Sequence, residues 1–117
     1  MSDPLKEKSY TFALRVVRVS EFLHAERKEY VISRKLLDSA TNVALFIEEA
    51  RQGEDRADFL QKYSIANKEA FKSNLLIRLL RDSDFLKTKE ASSLLDDCEE
   101  LQKMLISAIK KMRGSQA

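Results

Sequence analysis

The stretch from Lys35 to Ala50, K-L-L-D-S-A-T-N-V-A-L-F-I-E-E-A, decides how this chain folds. Apolar residues recur in it at steps of four and three, which is the spacing of one helical face. These residues are Leu36, Ala40, Val43, Ile47 and Ala50. Leu45 and Phe46 add apolar surface outside that face, and so much apolar surface needs neighbours on more than one side. The stretch therefore predicts a helix inside a helical bundle.

The rest of the chain supplies three further helical segments. Only two glycines and one proline occur in 117 residues, and none of them interrupts a periodic run. Long helices joined by short turns are therefore predicted, over about residues 5–28, 33–52, 55–82 and 88–113. The predicted fold is therefore all-α. Because short turns make consecutive helices antiparallel, it is an up-down-up-down four-helix bundle, a single domain over residues 1–117.

Several helix ends carry their own signals. Ser2 or Asp3 can cap the first helix, with Pro4 in the first helical position, where a missing N–H costs little. Ser33 is the predicted N-cap of the second helix. Gly53 is predicted to end that helix in the left-handed conformation.

Composition indicates a cytoplasmic protein. Charged residues make up 34% of the chain, and no apolar run approaches the roughly 18 residues of a membrane span. The N-terminal residues M-S-D-P-L-K-E-K contain no apolar signal region. Cys98 is the single cysteine, so no internal disulfide can form, which fits a reducing compartment.

No residue pattern predicts catalysis or a cofactor. His24 is the only histidine, and with Glu21 it makes one Glu-x-x-His pair where a di-iron bundle needs two. A solvated histidine at a helix end is expected instead. Cys98 lies on an apolar helical seam and is expected to be a small buried side chain. We therefore predict no catalytic residue, no metal and no cofactor, and we expect the protein not to be an enzyme.

Basic residues gather at one end of the predicted bundle, where the first and third turns meet. They are Arg27, Lys28, Arg34, Lys35, Arg78, Arg81, Lys87 and Lys89. Five acids interleave with them, namely Glu26, Glu29, Asp82, Asp84 and Glu90. The cations are candidate phosphate-binding residues. Tyr30 and Phe85 lie in the same turns and either stack on nucleic-acid bases or plug the end of the core.

Three stretches carry a family resemblance. They are Ser9 with Phe12–Val17 (S-x-x-F-A-L-R-V-V), Ser33–Ala44 (S-R-K-L-L-D-S-A-T-N-V-A) with Ile47, Glu49 and Ala50, and Asp58–Ala70 (D-F-L-x-x-x-S-I-A-x-K-E-A) with Leu75–Leu80 (L-L-I-R-L-L). Together they resemble the four-helix bundle proteins encoded in intervening sequences of bacterial 23S rRNA genes. The resemblance covers nearly the whole chain and rests on packing patterns.

The resemblance implies a small bacterial bundle that assembles as a homopentamer. Relatives include the accessory protein of diversity-generating retroelements, a basic pentameric barrel proposed to bind nucleic acid and a reverse transcriptase. The implied partners are therefore further copies of the chain, rRNA or another nucleic acid, and a polymerase-type protein. The alternative is an interaction scaffold that does not contact nucleic acid. For most members no activity is established.

The chain departs from the family pattern at four positions. The family usually has a basic residue at Asp38 and an acid at Lys72. A hairpin turning near Gly53 places residue 38 opposite about residue 69, so we hypothesise an inverted Asp38–Lys72 ion pair. The family usually has a small residue and an asparagine where Leu45 and Phe46 stand. Phe46 is expected to fill the core or to dock on a neighbouring subunit.

Overall fold

Four helices make up the bundle in the computed structural model, which describes residues 3–53 and 55–114. Their bounds are α1 Pro4–Arg27, α2 Val31–Arg51, α3 Arg56–Asp82 and α4 Thr88–Gly114. No strand occurs within the described ranges. The bundle is elongated, with principal extents of 49 × 26 × 21 Å. The predicted all-α, up-down four-helix bundle is confirmed.

Polar contacts between neighbouring helices define the antiparallel order. Lys6 near the start of α1 pairs with Glu48 near the end of α2 at 3.6 Å, and Lys62 near the start of α3 pairs with Glu49 near the end of α2 at 3.5 Å. Contacts nearer the middle of the helices join the remaining neighbours, with Asn74–Gln102 at 3.1 Å and Arg15–Asp97 at 2.6 Å. Each helix therefore has two packed neighbours, and α1 lies diagonally across the bundle from α3. The first and third turns share one end, while Arg51 and Asp3 pair at the other at 2.7 Å.

A continuous apolar core receives side chains from all four helices. The predicted face of α2 is buried completely, with at most 1% exposure at Leu36, Ala40, Val43, Ile47 and Ala50. Phe12 and Leu23 of α1 are among the largest fully buried side chains of the same core. Full burial of one such leucine or isoleucine side chain contributes roughly 1.5–3 kcal/mol, so this face anchors the bundle.

The start of α2 differs from the prediction. The helix begins at Val31, and Ser33 is a residue of its first turn rather than its N-cap. Glu29 does the capping: its carboxylate accepts hydrogen bonds from the backbone amides of Val31, Ile32 and Ser33 at 3.1, 3.0 and 2.7 Å. Its longer side chain reaches these amides from one residue before the N-cap, which is Tyr30. Three of the four amides that a helix start leaves without intrahelical partners are thereby satisfied.

The start of α1 and the end of α2 can be compared with the capping residues predicted for them. The Asp3 side chain caps α1 by accepting a hydrogen bond from the Lys6 amide at 3.3 Å, while Ser2 lies outside the described residues. The left-handed conformation predicted for Gly53 is wrong, because neither described glycine has a positive φ. The lack of a side chain at Gly53 instead leaves space for the Asp58 carboxylate, because a Cβ there would lie 2.6 Å from Asp58 Oδ2.

Candidate nucleic-acid interface

Arg27 fastens the first turn to the third. Its Nη1 donates hydrogen bonds to the carbonyl oxygens of Asp84 and Phe85, at 3.0 and 3.1 Å. The guanidinium carbon also lies 5.2 Å from the centroid of the Phe85 ring. We call this region the basic end, meaning the two turns and the eight predicted cations around them. Arg27 is therefore occupied by contacts that hold the basic end together.

The two aromatic residues of the basic end have different environments. Phe85 is half-buried and packs against the core beneath Arg27, so it plugs the end of the bundle. Tyr30 is 44% exposed and lies at the N-cap of α2. Of the two candidates for base stacking, Tyr30 is the more accessible.

Two of the five acids at the basic end are committed to internal contacts. Burial opposes ionisation of Glu29, but its hydrogen bonds from Ile32, Ser33 and Val31 outweigh burial and lower its pKa below the ordinary value. Asp82 forms a two-pronged pair with Arg81, at 2.7 and 3.2 Å. That contact lowers the pKa of Asp82 and raises the pKa of Arg81. Glu26, Asp84 and Glu90 are left exposed.

Most of the predicted cations form no ion pair with a carboxylate of the described residues, although Arg81 together with Arg78 lowers the pKa of Asp82. No ion pair joins any of six of them to a carboxylate in residues 3–53 or 55–114; these are Lys28, Arg34, Lys35, Arg78, Lys87 and Lys89. All six are exposed. Arg78 donates only to the neutral amide oxygen of Asn74, at 2.8 Å, and Lys28 only to a backbone carbonyl, at 3.1 Å. Against these six stand the three exposed acids Glu26, Asp84 and Glu90, so the exposed side chains of the basic end carry a net positive charge.

His24 is half-buried rather than solvated as expected. Its Nε2 lies 3.0 Å from the hydroxyl of Ser33, and that hydroxyl donates to the carbonyl of Glu29 at 3.0 Å. The His24 ring also packs against Tyr30, with ring centroids 5.3 Å apart and planes tilted by 58°. The histidine thus belongs to a local network that shapes the first turn.

The hypothesised Asp38–Lys72 ion pair is not formed. The Lys72 ammonium lies 2.7 Å from Glu69, one turn earlier on the same helix. Glu69 is nearly buried and needs a countercharge, whereas Asp38 is exposed. The register differs from the assumed hairpin, because the Ser39 and Ser73 hydroxyls face each other at 2.8 Å. Residue 38 therefore lies nearer to the level of Lys72 than assumed, so the pairing of Lys72 with Glu69, and not the register, accounts for the absent ion pair.

Phe46 and Leu45, the other departures from the family pattern, separate in the structure. Phe46 is half-buried against the core, with the Lys62 ammonium 5.8 Å from its ring centroid. Leu45 is 53% exposed on the outer face of α2. Of the two expectations for Phe46, the core position is the one observed.

Exposed apolar side chains form a stripe along α3. It consists of Phe71, Leu75 and Leu79, which are 53%, 49% and 45% exposed. Their spacing of four places them on one helical face, and we call them the α3 stripe. Tyr10 and Leu14 of α1, at 65% and 40%, make a second apolar face. Isolated exposed leucines are ordinary, whereas several large apolar side chains exposed along one helical face are less common.

The described residues contain no group of three or more His, Cys, Asp or Glu side chains arranged to hold a metal. Cys98 donates from Sγ to the carbonyl of Ala70 at 3.3 Å, and burial raises the pKa of its thiol to about 12. A thiol held in this neutral state is a poor nucleophile at physiological pH.

Within residues 3–53 and 55–114, no helix has the length and apolarity that crossing a membrane requires.

Comparison with known proteins identifies the family. Residues 4–107 match the family described as 23S rRNA-intervening sequence protein. The chain belongs to this family. The resemblance predicted from the sequence is thereby confirmed, and the family description names no enzyme activity.

A solved structure supports the same assignment. It is a Bacteroides thetaiotaomicron protein described as having unknown function and belonging to the S23 ribosomal protein family. The two chains are 40% identical and superpose with a TM-score of 0.89, over 91% of this chain and 98% of the other. No curated protein matches this chain.

Proposed function

We propose that the protein is a non-enzymatic, self-associating bundle of the bacterial cytoplasm that binds RNA or DNA through its basic end. The observation that carries this proposal is the set of six exposed cations without a described carboxylate partner. Glu29 and Asp82, which would otherwise neutralise them, are held in a helix cap and in the Arg81 pair. Free lysine and arginine side chains gain affinity for phosphates by releasing counterions.

Self-association raises the affinity of such a patch. One subunit offers few phosphate contacts, so a single basic end binds weakly at physiological salt. Joining several copies makes later contacts intramolecular and strengthens binding through avidity. The α3 stripe supports this part of the proposal, because its three large apolar side chains are half exposed in the single chain.

The geometry of the apolar faces favours a ring. The α3 stripe and the face formed by Tyr10 and Leu14 lie on helices that are diagonal in the bundle. Contact between two different faces is heterologous, and repeated heterologous contact closes into a ring when the rotation allows it. The family resemblance supports five as the number of subunits, so we propose a homopentamer.

The test of assembly uses charge on the stripe. We expect L75E and F71E to reduce the assembly to a monomer while the helical circular dichroism stays unchanged, because a carboxylate cannot be desolvated in an apolar contact. K103E on the outer face of α4 is the matched control and should leave the assembly intact. Sedimentation velocity measures the mass. A monomeric wild-type protein at micromolar concentration would contradict self-association.

The test of nucleic-acid binding uses two charge-matched variants. K87E/K89E reverses two charges at the basic end, and K110E/K111E reverses two at the far end of α4. With labelled rRNA fragments, K87E/K89E should weaken binding by roughly tenfold or more and flatten its salt dependence. K110E/K111E should change binding little. Negligible, salt-independent binding by the wild type, or equal losses in both variants, would refute the proposal.

A second candidate function is a protein-interaction scaffold that does not contact nucleic acid. The α3 stripe favours it, because an exposed apolar surface suits a polymerase-type protein partner as well as another copy of the chain. Affinity capture from the native bacterium separates the two functions. A partner that stays bound after nuclease treatment, together with no binding of purified nucleic acid, would replace the first proposal with the second.

A further inference from the structure

Tyr30 is an exposed aromatic side chain with an exposed cation on either side of it in the sequence. It is 44% exposed and lies two residues after Lys28 and one helical turn before Arg34. Both cations are exposed and lack a described carboxylate partner. The nearest exposed acids in the sequence are Glu26, two residues before Lys28, and Asp38, four residues after Arg34. An aromatic ring combined with free cations provides both interactions by which proteins bind single strands.

The Tyr30 ring is supported from one side. His24 packs against it with ring centroids 5.3 Å apart, and His24 is itself fixed by its 3.0 Å contact to the Ser33 hydroxyl. This arrangement leaves the ring orientation constrained and part of its surface open to solvent. A constrained ring loses less conformational entropy when a ligand stacks on it.

The backbone beneath Tyr30 is also fixed. The amides of Lys28 and Glu29 both donate to the carbonyl of Leu23, which closes the end of α1. The carboxylate of Glu29 then holds the first amides of α2. Tyr30 therefore projects from a short connection that is hydrogen-bonded on both sides.

We infer that Tyr30 stacks on an unpaired base, so that the basic end takes single-stranded nucleic acid in preference to a duplex. This inference rests on the proposed function and narrows its ligand class. Bases in a duplex have their faces covered by neighbouring base pairs, whereas an unpaired base can leave its stack and lie on an aromatic ring. The flanking cations contact the phosphates on either side.

The experiment compares two probes at low and at moderate salt: a labelled oligothymidylate of about 15 nucleotides and a mixed-sequence duplex of the same length. Y30A should weaken binding of the single strand by roughly tenfold, which corresponds to the loss of one base–aromatic stack, and should leave duplex binding unchanged. Y30F keeps the ring and should retain affinity for the single strand. V31A removes the neighbouring exposed apolar side chain, 66% exposed, and is the control.

The outcomes separate this inference from the proposed function. If the wild type binds the duplex as tightly as the single strand and Y30A matches V31A, the stacking role is refuted while charge-driven binding stands. If Y30A alters the sedimenting mass but not the affinity for either probe, Tyr30 is an assembly contact and the inference is overturned. If the wild type binds neither probe, and K87E/K89E likewise shows no change in binding, both the stacking role of Tyr30 and the proposed nucleic-acid binding are refuted.

Discussion

Arg27 lies over the ring of Phe85, and the two residues join the turns at the basic end of the bundle. The guanidinium carbon is 5.2 Å from the ring centroid, and Nη1 binds two carbonyl oxygens of the third turn. On sequence grounds Arg27 is one of eight equivalent candidates for phosphate binding. The structure distinguishes it from Arg34, which forms no ion pair with any carboxylate of residues 3–53 and 55–114.

Replacing Arg27 should therefore affect stability. We expect R27A to lower the free energy of unfolding by about 1–2 kcal/mol, because it removes two hydrogen bonds and the cation–π contact. R27K should recover only part of the lost free energy of unfolding, since an ammonium lacks the planar fork of donors. Urea denaturation measures the difference, with R34A as the control expected to stay within about 0.5 kcal/mol of wild type. Equal stability of R27A and R34A would show that the Arg27 contacts contribute nothing.

The cap provided by Glu29 should also be measurable. We expect E29A to cost about 1–2 kcal/mol of stability, because three backbone amides at the start of α2 lose their acceptor. E29Q should cost less, since one amide oxygen can still accept. E26A, at an exposed position nearby, is the matched control and should be close to wild type in the same urea titration. A loss in E26A as large as that in E29A would argue for a general charge effect.

The contribution of Glu29 should depend on pH in a defined direction. Its folded-state pKa lies below the ordinary value, so its stabilisation is complete above the unfolded pKa of about 4.3 and is lost as pH falls through the folded value. The stability difference between wild type and E29Q should therefore stay constant from about pH 7 to about pH 5 and shrink below about pH 4. Urea titrations across this range measure it. A difference that widens on acidification would contradict the cap.

The hydroxyls of Ser39 and Ser73 should behave as a coupled pair. They lie 2.8 Å apart in the core, so one hydroxyl donates to the other. Each also lies within hydrogen-bond distance of a carbonyl of its own helix, to which the accepting hydroxyl can donate. Each single alanine variant should cost about 1 kcal/mol, because the remaining hydroxyl loses a partner without access to water. The double variant should cost less than the sum of the singles. A double-mutant cycle by denaturation tests this, and strict additivity would mean that the contact carries no energy.

The sequence predicted what depends on local periodicity. Side chains three and four residues apart share a face whatever the tertiary context, so the buried residues from Leu36 to Ala50 could be assigned in advance. The start of α2 could not, because glutamate is not a usual capping residue at the N-cap itself. Glu29 acts from the preceding position, which requires knowing that the chain bends back there. The left-handed conformation of Lys28 creates that bend, and the sequence has no glycine there to indicate it.

The candidate site was harder to predict than the fold for a related reason. The sequence shows acids among the cations but not which of them are already engaged. That depends on whether a side chain turns inward, as Glu29 does, or pairs beside its own neighbour, as Asp82 does. The Asp38–Lys72 hypothesis was wrong for the same reason, since Lys72 had Glu69 within reach on its own helix.

The backbone of Lys28 carries a further consequence. It adopts a left-handed conformation with φ of 55°, which costs a residue with a side chain roughly 1–2 kcal/mol relative to glycine. A chain selected only for resistance to heat would have glycine here and would fold more tightly. It would also lose one of the charges beside Tyr30. Glycine at this single position would therefore relax the backbone at the cost of one exposed positive charge of the basic end.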